Sequence, residues 1–206
     1  FPAPEAVEAV LPLFGEIYGN PSSTHSFGQK VRHEIELARE NVAKLLNCKP
    51  SEIVFNSGAT EGNNTAIYAA LDGMPERKHI ITTRVEHSSV LEVIRYLEEA
   101  GYRITELNVD RLGHIDLDEL KNEISGDTAL VSIMWANNET GVINPINAAG
   151  DIAKQFGALM HVDAVQAAGK LKIDLKDEQA IDFLTISGHK FHGLKGSGAL
   201  FVREKA

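Results

Sequence analysis

The chain has 206 residues, of which 43% are hydrophobic and 24% charged, and this is enough for one sizeable α/β domain with its own core. The 29 acidic residues outnumber the 20 lysines and arginines, and the net charge of -9 argues against nucleic acid or an anionic membrane as a partner. No apolar run reaches the length of a membrane span and the first residues show no signal-peptide pattern, so we expect a cytoplasmic protein.

Short apolar segments alternate along the chain with segments of helical periodicity. The predicted strands are 53–55, 79–83, 103–108, 129–135, 158–162, 182–186 and 199–202. Apolar residues recur at helical spacing in 31–45, 90–97 and 146–156, and a further helix opens at Thr60. This alternation predicts an α/β three-layer sandwich, with a mostly parallel sheet of roughly seven strands and helices on both faces.

The last two predicted strands break this pattern. The connection between them, 187–198, is rich in glycine and is marginal in length for a helical crossover. We therefore predict that 199–202 runs antiparallel to most of the sheet.

Three segments that follow predicted strands offer the groups that pyridoxal phosphate (PLP) needs. Lys190 supplies an amine for a Schiff base, provided that partial burial or a nearby cation keeps it neutral often enough. Asp163 supplies a carboxylate to keep the pyridine nitrogen protonated. The turn into the helix at Ala59 and Thr60 supplies backbone N–H groups for the phosphate, with Ser187 as a second hydroxyl.

Each of these residues also has a simpler interpretation. Lys190 alone resembles a solvated surface lysine, Asp163 could cap the segment that follows it, and Thr60 could cap its helix. All three follow predicted strands, where ligands bind in open α/β sheets, and this coincidence favours one shared site.

Two other classes of function stay open. A metallohydrolase is one, although its candidate ligands match no compact metal motif, so no metal site is predicted; these ligands are His87, His161, Asp163, His189 and His192. The other is a binding or scaffold domain without catalysis. We interpret the single cysteine, Cys48, as structural, because it precedes the strand 53–55 and should lie at the opposite edge of the sheet from Thr60.

A series of motifs covers nearly the whole chain: 19–25 with 27–28, 57–61, 86–87, 131–134, 137–141, 161–168, and 187–190 with 193–196. In this order they resemble the cysteine desulfurases, which are class V, fold-type I enzymes that use PLP. The resemblance implies that Lys190 binds PLP and later moves protons at the substrate Cα. It implies that His87 stacks on the pyridine ring as an acid/base group, and that Asp163 pairs with the ring nitrogen.

The resemblance also implies how the rest of the cofactor is held. Gln166 and Asn138 would lie near the phenolic oxygen, with Asn138 also close to the substrate carboxylate. The phosphate would be bound by Thr60, Ser187 and His189 together with the backbone of Ala59 and Thr60. Without the family, His87 is interpreted as a helix-start histidine and Asn138 as a turn asparagine.

The reaction that the resemblance implies converts L-cysteine to L-alanine and leaves sulfur as a persulfide on an enzyme cysteine. The sulfur then passes to an acceptor or scaffold protein, for iron–sulfur cluster assembly or another sulfur-transfer pathway, and the intact enzyme is expected to be a homodimer. The family's nucleophile lies in a smaller C-terminal domain, so we expect residues 1–206 to be the large PLP domain, inactive alone in sulfur transfer. Leu194 stands where the family more often has proline. A selenocysteine lyase, a cysteine sulfinate desulfinase or an aminotransferase of the same fold remains the alternative.

Overall fold

The computed structural model describes residues 1–204. Its α-helices are α1 (Pro4–Val10), α2 (Ser26–Leu46), α3 (Ala59–Gly73), α4 (Ser88–Glu99), α5 (Leu117–Glu123) and α6 (Ile146–Gln155). Its strands are β1 (Ile53–Asn56), β2 (His79–Thr83), β3 (Arg103–Leu107), β4 (Thr128–Met134), β5 (Leu159–Asp163), β6 (Phe183–Ser187) and β7 (Gly198–Val202). Short 3-10 turns cover Leu11–Phe14, Pro50–Glu52 and Gly188–Phe191.

The strands form one sheet in the order β1-β7-β6-β5-β4-β2-β3. Neighbours pair in parallel from β6 across to β3, whereas β7 is antiparallel to both β6 and β1. The predicted α/β class, the mostly parallel sheet and the antiparallel last strand are therefore confirmed. Because the parallel strands run the same way, β4, β5 and β6 end at one edge of the sheet.

Helices cover both faces of this sheet and create two apolar cores. One contains buried residues of α3 and α4, and the other contains buried residues of α2, α5 and α6. Successive strand residues divide between them, as Ile80 and Ile81 of β2 show, because side chains alternate across a strand. This is the predicted three-layer sandwich. Within residues 1–204, no helix combines the length and apolar character that a membrane crossing requires.

Several bounds of the predicted elements are wrong: the strand predicted at 103–108 ends at Leu107, and the one predicted at 129–135 ends at Met134. Asp163 and Ser187 are the last residues of β5 and β6, although both strands were predicted to end one residue earlier. The sheet hydrogen bonds continue through these polar residues, so two of the candidate site residues belong to the strands and not to the loops that follow them.

The apolar stripe predicted in 31–45 is not the buried face of α2. Val42 is only partly buried and Leu45 is 41% exposed, whereas the buried residues include Ala43 and Leu46.

Helix α3 lies closely against the sheet at Gly62. A Cβ atom at this position would meet Thr185 Cγ2 of β6 at 2.7 Å and the side-chain nitrogen of Asn56 at 3.0 Å. Glycine is needed here because the helix approaches the strand more closely than any side chain permits. This contact sets the position of the start of α3 over the ends of β1 and β6.

Gly62→Ala should lower the free energy of unfolding by about 1–3 kcal/mol, because buried Thr185 cannot move without disturbing the core. Gly73→Ala is the matched control in the same helix, since a Cβ there meets nothing within 4 Å and should be neutral or stabilising by up to about 1 kcal/mol. Urea unfolding of the two variants measures both effects. Equal stabilities would contradict the close contact of α3 with β6.

Candidate active site

A cavity of about 540 Å³ opens where β1, β4, β5 and β6 end. Every residue predicted for the cofactor site lines it: Ala59, Thr60, His87, Asn138, Asp163, Gln166, Ser187, His189 and Lys190. Met134, Ala136 and Val165 add apolar wall. The structure thus brings together residues that lie up to 131 positions apart in the sequence (190 minus 59).

One end of the cavity is the N-terminus of α3. Gly58 occupies the N-cap position with φ of 148°, a conformation that residues with side chains rarely adopt, and no side chain caps the helix. The proposed capping role of Thr60 is therefore wrong, since Thr60 is the second helical residue. The first N–H groups of an α-helix have no partner within the helix, and Gly58, Ala59 and Thr60 line this end of the cavity. Uncapped N–H groups with the Thr60 and Ser187 hydroxyls nearby form a donor set suited to a phosphate.

Asp163 lies at the floor of the cavity, at the end of β5, with 5% of its surface exposed. Its Oδ1 accepts the Val165 N–H at 3.0 Å, and its Oδ2 accepts a hydrogen bond from Asn63 Nδ2 at 2.9 Å. The pKa of this carboxyl lies above its ordinary value because it is buried, and the two hydrogen bonds and the charges of His87 and Lys190 oppose this rise. Asp163 therefore caps the turn after β5, as the simpler interpretation predicted, and also presents a carboxylate to the cavity.

His87 is the N-cap of α4, and the simpler interpretation as a helix-start histidine is correct as far as it goes. Its Nδ1 accepts the Ser89 N–H at 3.1 Å and lies 2.8 Å from the Ser89 hydroxyl. The capping bonds hold the imidazole at the wall of the cavity. One residue thus starts the helix and contributes a ring to the site.

Lys190 lies on the 3-10 turn that follows β6, and the turn lifts it to the mouth of the cavity. It is exposed, so the partial burial expected for it is absent; a second cation, Lys195, lines the same cavity. On the same turn, His189 Nδ1 lies 3.0 Å from Ser187 Oγ, near Gly58 at the start of α3.

Asn138 and Gln166 lie on loops at the cavity. Asn138 is exposed and follows Asn137, whose Oδ1 accepts the N–H groups of Glu139 and Thr140 and so stiffens the loop after β4. Gln166 is half-buried, and its Oε1 accepts a hydrogen bond from Lys170 Nζ at 3.0 Å.

The five residues considered as metal ligands do not form one site: His87, Asp163 and His189 line the cavity, whereas His161 and His192 do not. His161 is completely buried in the sheet, where its ring nitrogens lie 2.8 Å from Ser132 Oγ and 3.1 Å from Thr185 Oγ1. In the part of the chain that the structure describes, no three histidine, cysteine, aspartate or glutamate side chains are grouped to hold a metal ion. The amine, the carboxylate and the anion-binding helix end instead match the functional groups of PLP.

Comparison with known proteins gives an independent assignment. The sequence profile of the family described as Aminotransferase class-V matches residues 2–206. The chain belongs to this family. Class-V membership agrees with the resemblance carried by the motifs.

Similar relatives and solved structures include proteins named cysteine desulfurase or NifS-like. Cysteine desulfurase 2 of Trichormus variabilis is 55% identical over 199 residues, which cover 97% of this chain and 50% of the relative. Cysteine desulfurase NifS of Azotobacter vinelandii is 48% identical over 200 residues, 97% of this chain and 50% of the relative. A solved NifS-like protein superposes with a TM-score of 0.95 at 40% identity, covering 99% of this chain and 56% of that chain. The chain spans about half the length of the curated relatives it matches.

Sequence reasoning missed three buried polar residues behind this class-V site: Asn63, Glu86 and Ser89. Asn63 interrupts the otherwise apolar buried face of α3, and that interruption was the available signal. Glu86 belongs to a motif used for the family resemblance. Its hydrogen bonds to Thr83 and Met134 could not be predicted from the spacing of these residues in the sequence.

Glu86 is a buried carboxyl that joins the ends of two strands. Its Oε1 accepts the Thr83 hydroxyl at 2.8 Å and the Met134 N–H at 2.9 Å, whereas its buried Oε2 has no hydrogen-bond partner. Burial raises the pKa of Glu86 to about 8, and the nearby Asp163 charge adds to this rise. The folded protein therefore keeps Glu86 neutral at pH values where the unfolded chain ionises it.

The difference in the free energy of unfolding between Glu86→Gln and wild type should shift in favour of the variant as the pH rises. An acid with a raised folded pKa stabilises the fold below its unfolded pKa, and this contribution is lost as the pH rises towards 8. Glutamine stays neutral, so its advantage over glutamate should grow by up to about 3 kcal/mol between pH 5.5 and 8. Denaturant unfolding at several pH values measures this slope, with exposed Glu40→Gln as the control. Parallel curves for wild type and Glu86→Gln would refute the assignment.

Proposed function

We propose that residues 1–206 form the large cofactor-binding domain of a PLP-dependent cysteine desulfurase. The observation that carries this proposal is the meeting of Lys190, Asp163 and the uncapped start of α3 in one cavity. These three groups match the three functional groups of PLP. The amine suits its aldehyde, the buried carboxylate suits its pyridine nitrogen, and the anion site suits its phosphate.

The residues of the cavity divide the work of holding the cofactor. The N–H groups of Ala59 and Thr60, with the Thr60 side chain, would bind the phosphate. Ser187 and His189 complete this end, and their mutual hydrogen bond keeps the two side chains together. His87 would cover one face of the ring, while Gln166 and Asn138 would lie near its phenolic oxygen.

When bound, PLP supplies an electron sink that stabilises negative charge at the Cα of an amino acid. Lys190 would hold the cofactor covalently and then move a proton at the substrate Cα, which its place on the exposed turn after β6 permits. Asp163 would hold the proton on the ring nitrogen. His87 would serve as a second proton carrier at the opposite wall.

The names of the similar proteins favour L-cysteine as the substrate. The matched curated proteins are named cysteine desulfurases, and a solved structure titled "SspA in complex with cysteine" superposes with a TM-score of 0.94 at 39% identity. Alanine would be the product and a persulfide the carrier of sulfur. A sulfur-acceptor or scaffold protein, a homodimer and a cytoplasmic location belong to the same proposal.

Cys48 is unsuited to receive the sulfur. It is half-buried against the core ahead of β1, at the opposite edge of the sheet from the cavity. Burial and, next, the charge of Glu52 raise the pKa of its thiol to about 11, so little thiolate is present at neutral pH. We infer that the acceptor thiol is a cysteine other than Cys48.

Borohydride reduction of the PLP-treated protein should trap the cofactor on Lys190. Peptide mass spectrometry would locate the adduct. Lys190→Ala should abolish it, because Lys190 is the lysine on the turn directly after β6, beside the other residues of the cavity. Lys172→Ala is the matched control, since Lys172 is exposed and pairs with Asp174 away from the cavity. An adduct on Lys195 or Lys170, or none at all, would contradict the proposed function.

A further inference from the structure

A chain of side-chain hydrogen bonds behind the cavity connects Asp163 with His87. Asn63 Nδ2 donates to Asp163 Oδ2 and to Ser89 Oγ, both at 2.9 Å. Ser89 Oγ lies 2.8 Å from His87 Nδ1. Asn63 and Ser89 lie outside the cavity lining, yet they join two of the groups that face it.

The surroundings of Asn63 argue against a purely structural role. Asn63 is completely buried on α3, on a face whose other buried residues are glycine, alanine, isoleucine and leucine. Its Oδ1 atom is buried and has no hydrogen-bond partner among the described residues. An unsatisfied carbonyl oxygen in a core destabilises the fold, so an apolar residue of similar volume would suit packing better.

The Asp163 carboxylate fixes the orientation of the Asn63 amide. If the amide were turned by half a rotation, Oδ1 would face a carboxylate that has no hydrogen to donate, and the bond to Asp163 would be lost. The side chain therefore donates its two N–H groups to Asp163 and Ser89. As a consequence, its Oδ1 atom is left without a hydrogen-bond partner.

The Ser89 backbone sets the direction of the hydrogen bonds between Ser89 and His87. Its N–H can only donate, so His87 Nδ1 must be an acceptor, and the neutral imidazole then carries its proton on Nε2. Because Ser89 Oγ accepts from Asn63, its own hydrogen is available for His87 Nδ1. Every donor in the chain thus points from Asn63 towards one of the two cavity groups.

We propose that Asn63 is a positioning residue, whose amide keeps the Asp163 carboxylate ionised and aimed at the cavity and, through Ser89, fixes the His87 ring with its proton on Nε2. The proposal rests on the proposed function only in that Asp163 and His87 are taken to contact PLP. Asn63 itself would touch neither cofactor nor substrate.

The charges around Asp163 explain why this amide matters. Burial favours the neutral carboxyl, and Glu86 nearby is a further acidic group. The Val165 N–H and the Asn63 amide favour the ionised form, with His87 and Lys190 as the nearby bases. Loss of one of the two hydrogen-bond donors would shift this balance towards a neutral Asp163, which could not hold a proton on a ring nitrogen.

Carboxyl 13C NMR of the cofactor-free protein tests the first half of the proposal. The Asp163 signal is assigned by its loss in Asp163→Asn. In Asn63→Leu, which removes both donors at similar volume, the pKa of Asp163 should be higher than in wild type. Asn144→Leu is the matched control, because Asn144 is also buried with an unpartnered Oδ1 but donates only to the Met134 carbonyl. It should leave the Asp163 titration unchanged.

Ring 15N NMR tests the second half. The neutral His87 ring should carry its proton on Nε2 in wild type. Ser89→Ala keeps the backbone N–H that donates to Nδ1 but removes the hydroxyl donor, so the preference for Nε2–H should weaken and the share of the Nδ1–H form should rise. The same variant should leave the Asp163 titration in place, since Asn63 still donates to it. If Asn63→Leu fails to fold, Asn63→Ala removes the same donors without adding a clash.

An Asp163 signal that titrates identically in wild type and in a folded Asn63 variant would overturn the proposal, as would an equal shift in Asn144→Leu. These measurements need no cofactor, so they stand even if Lys190 forms no adduct, a result that would instead refute the proposed function. If the adduct does form, Asn63→Leu should also weaken PLP binding by roughly tenfold. Asn144→Leu should bind PLP as wild type does.

Discussion

The burial of one carboxylate, Asp163, is the constraint on which the rest of the site depends. A charge at the end of β5 is costly in a core unless hydrogen bonds and nearby cations stabilise it. Three elements meet this need: Val165 in the turn after β5 and Asn63 on α3 donate hydrogen bonds, and Lys190 on the turn after β6 is a nearby cation. These contacts oppose the rise in the Asp163 pKa that burial causes, and the residues that supply them surround the cavity.

The parallel sheet makes this arrangement possible. Strands β4, β5 and β6 end together, and β7 returns antiparallel so that β1 and the start of α3 join the same edge. The contact at Gly62 then sets the N-terminus of α3 above β6, beside the turn that carries Lys190. Anion-binding N–H groups, carboxylate and amine come from distant parts of the chain, yet their separation is set by strand spacing and by one helix-to-strand contact.

The sequence pattern was sufficient for the seven strands and for Lys190, Asp163 and the turn at Ala59 and Thr60, whereas His87 and Asn138 were predicted for the cavity only from the family resemblance. Buried parallel strands give continuous apolar runs, and the site residues follow those runs directly. It was insufficient for Asn63 and Ser89, because Asn63 meets Asp163 across 100 positions and Ser89 across 26, and no periodicity encodes such distances. The ends of β5 and β6 were placed one residue early because a polar side chain conceals backbone pairing that continues. Burial of Glu86 likewise depends on the meeting of Thr83 and Met134.

The central claim, that Asp163 is an ionised carboxylate which holds a proton on the cofactor ring, is tested most directly by 15N NMR of the protein loaded with PLP labelled at its pyridine nitrogen. The account predicts a protonated ring nitrogen in the wild-type protein at neutral pH and an unprotonated one in Asp163→Asn, with the phosphate still bound at the start of α3. An unprotonated nitrogen in the wild type, or an equally protonated one in Asp163→Asn, would contradict it.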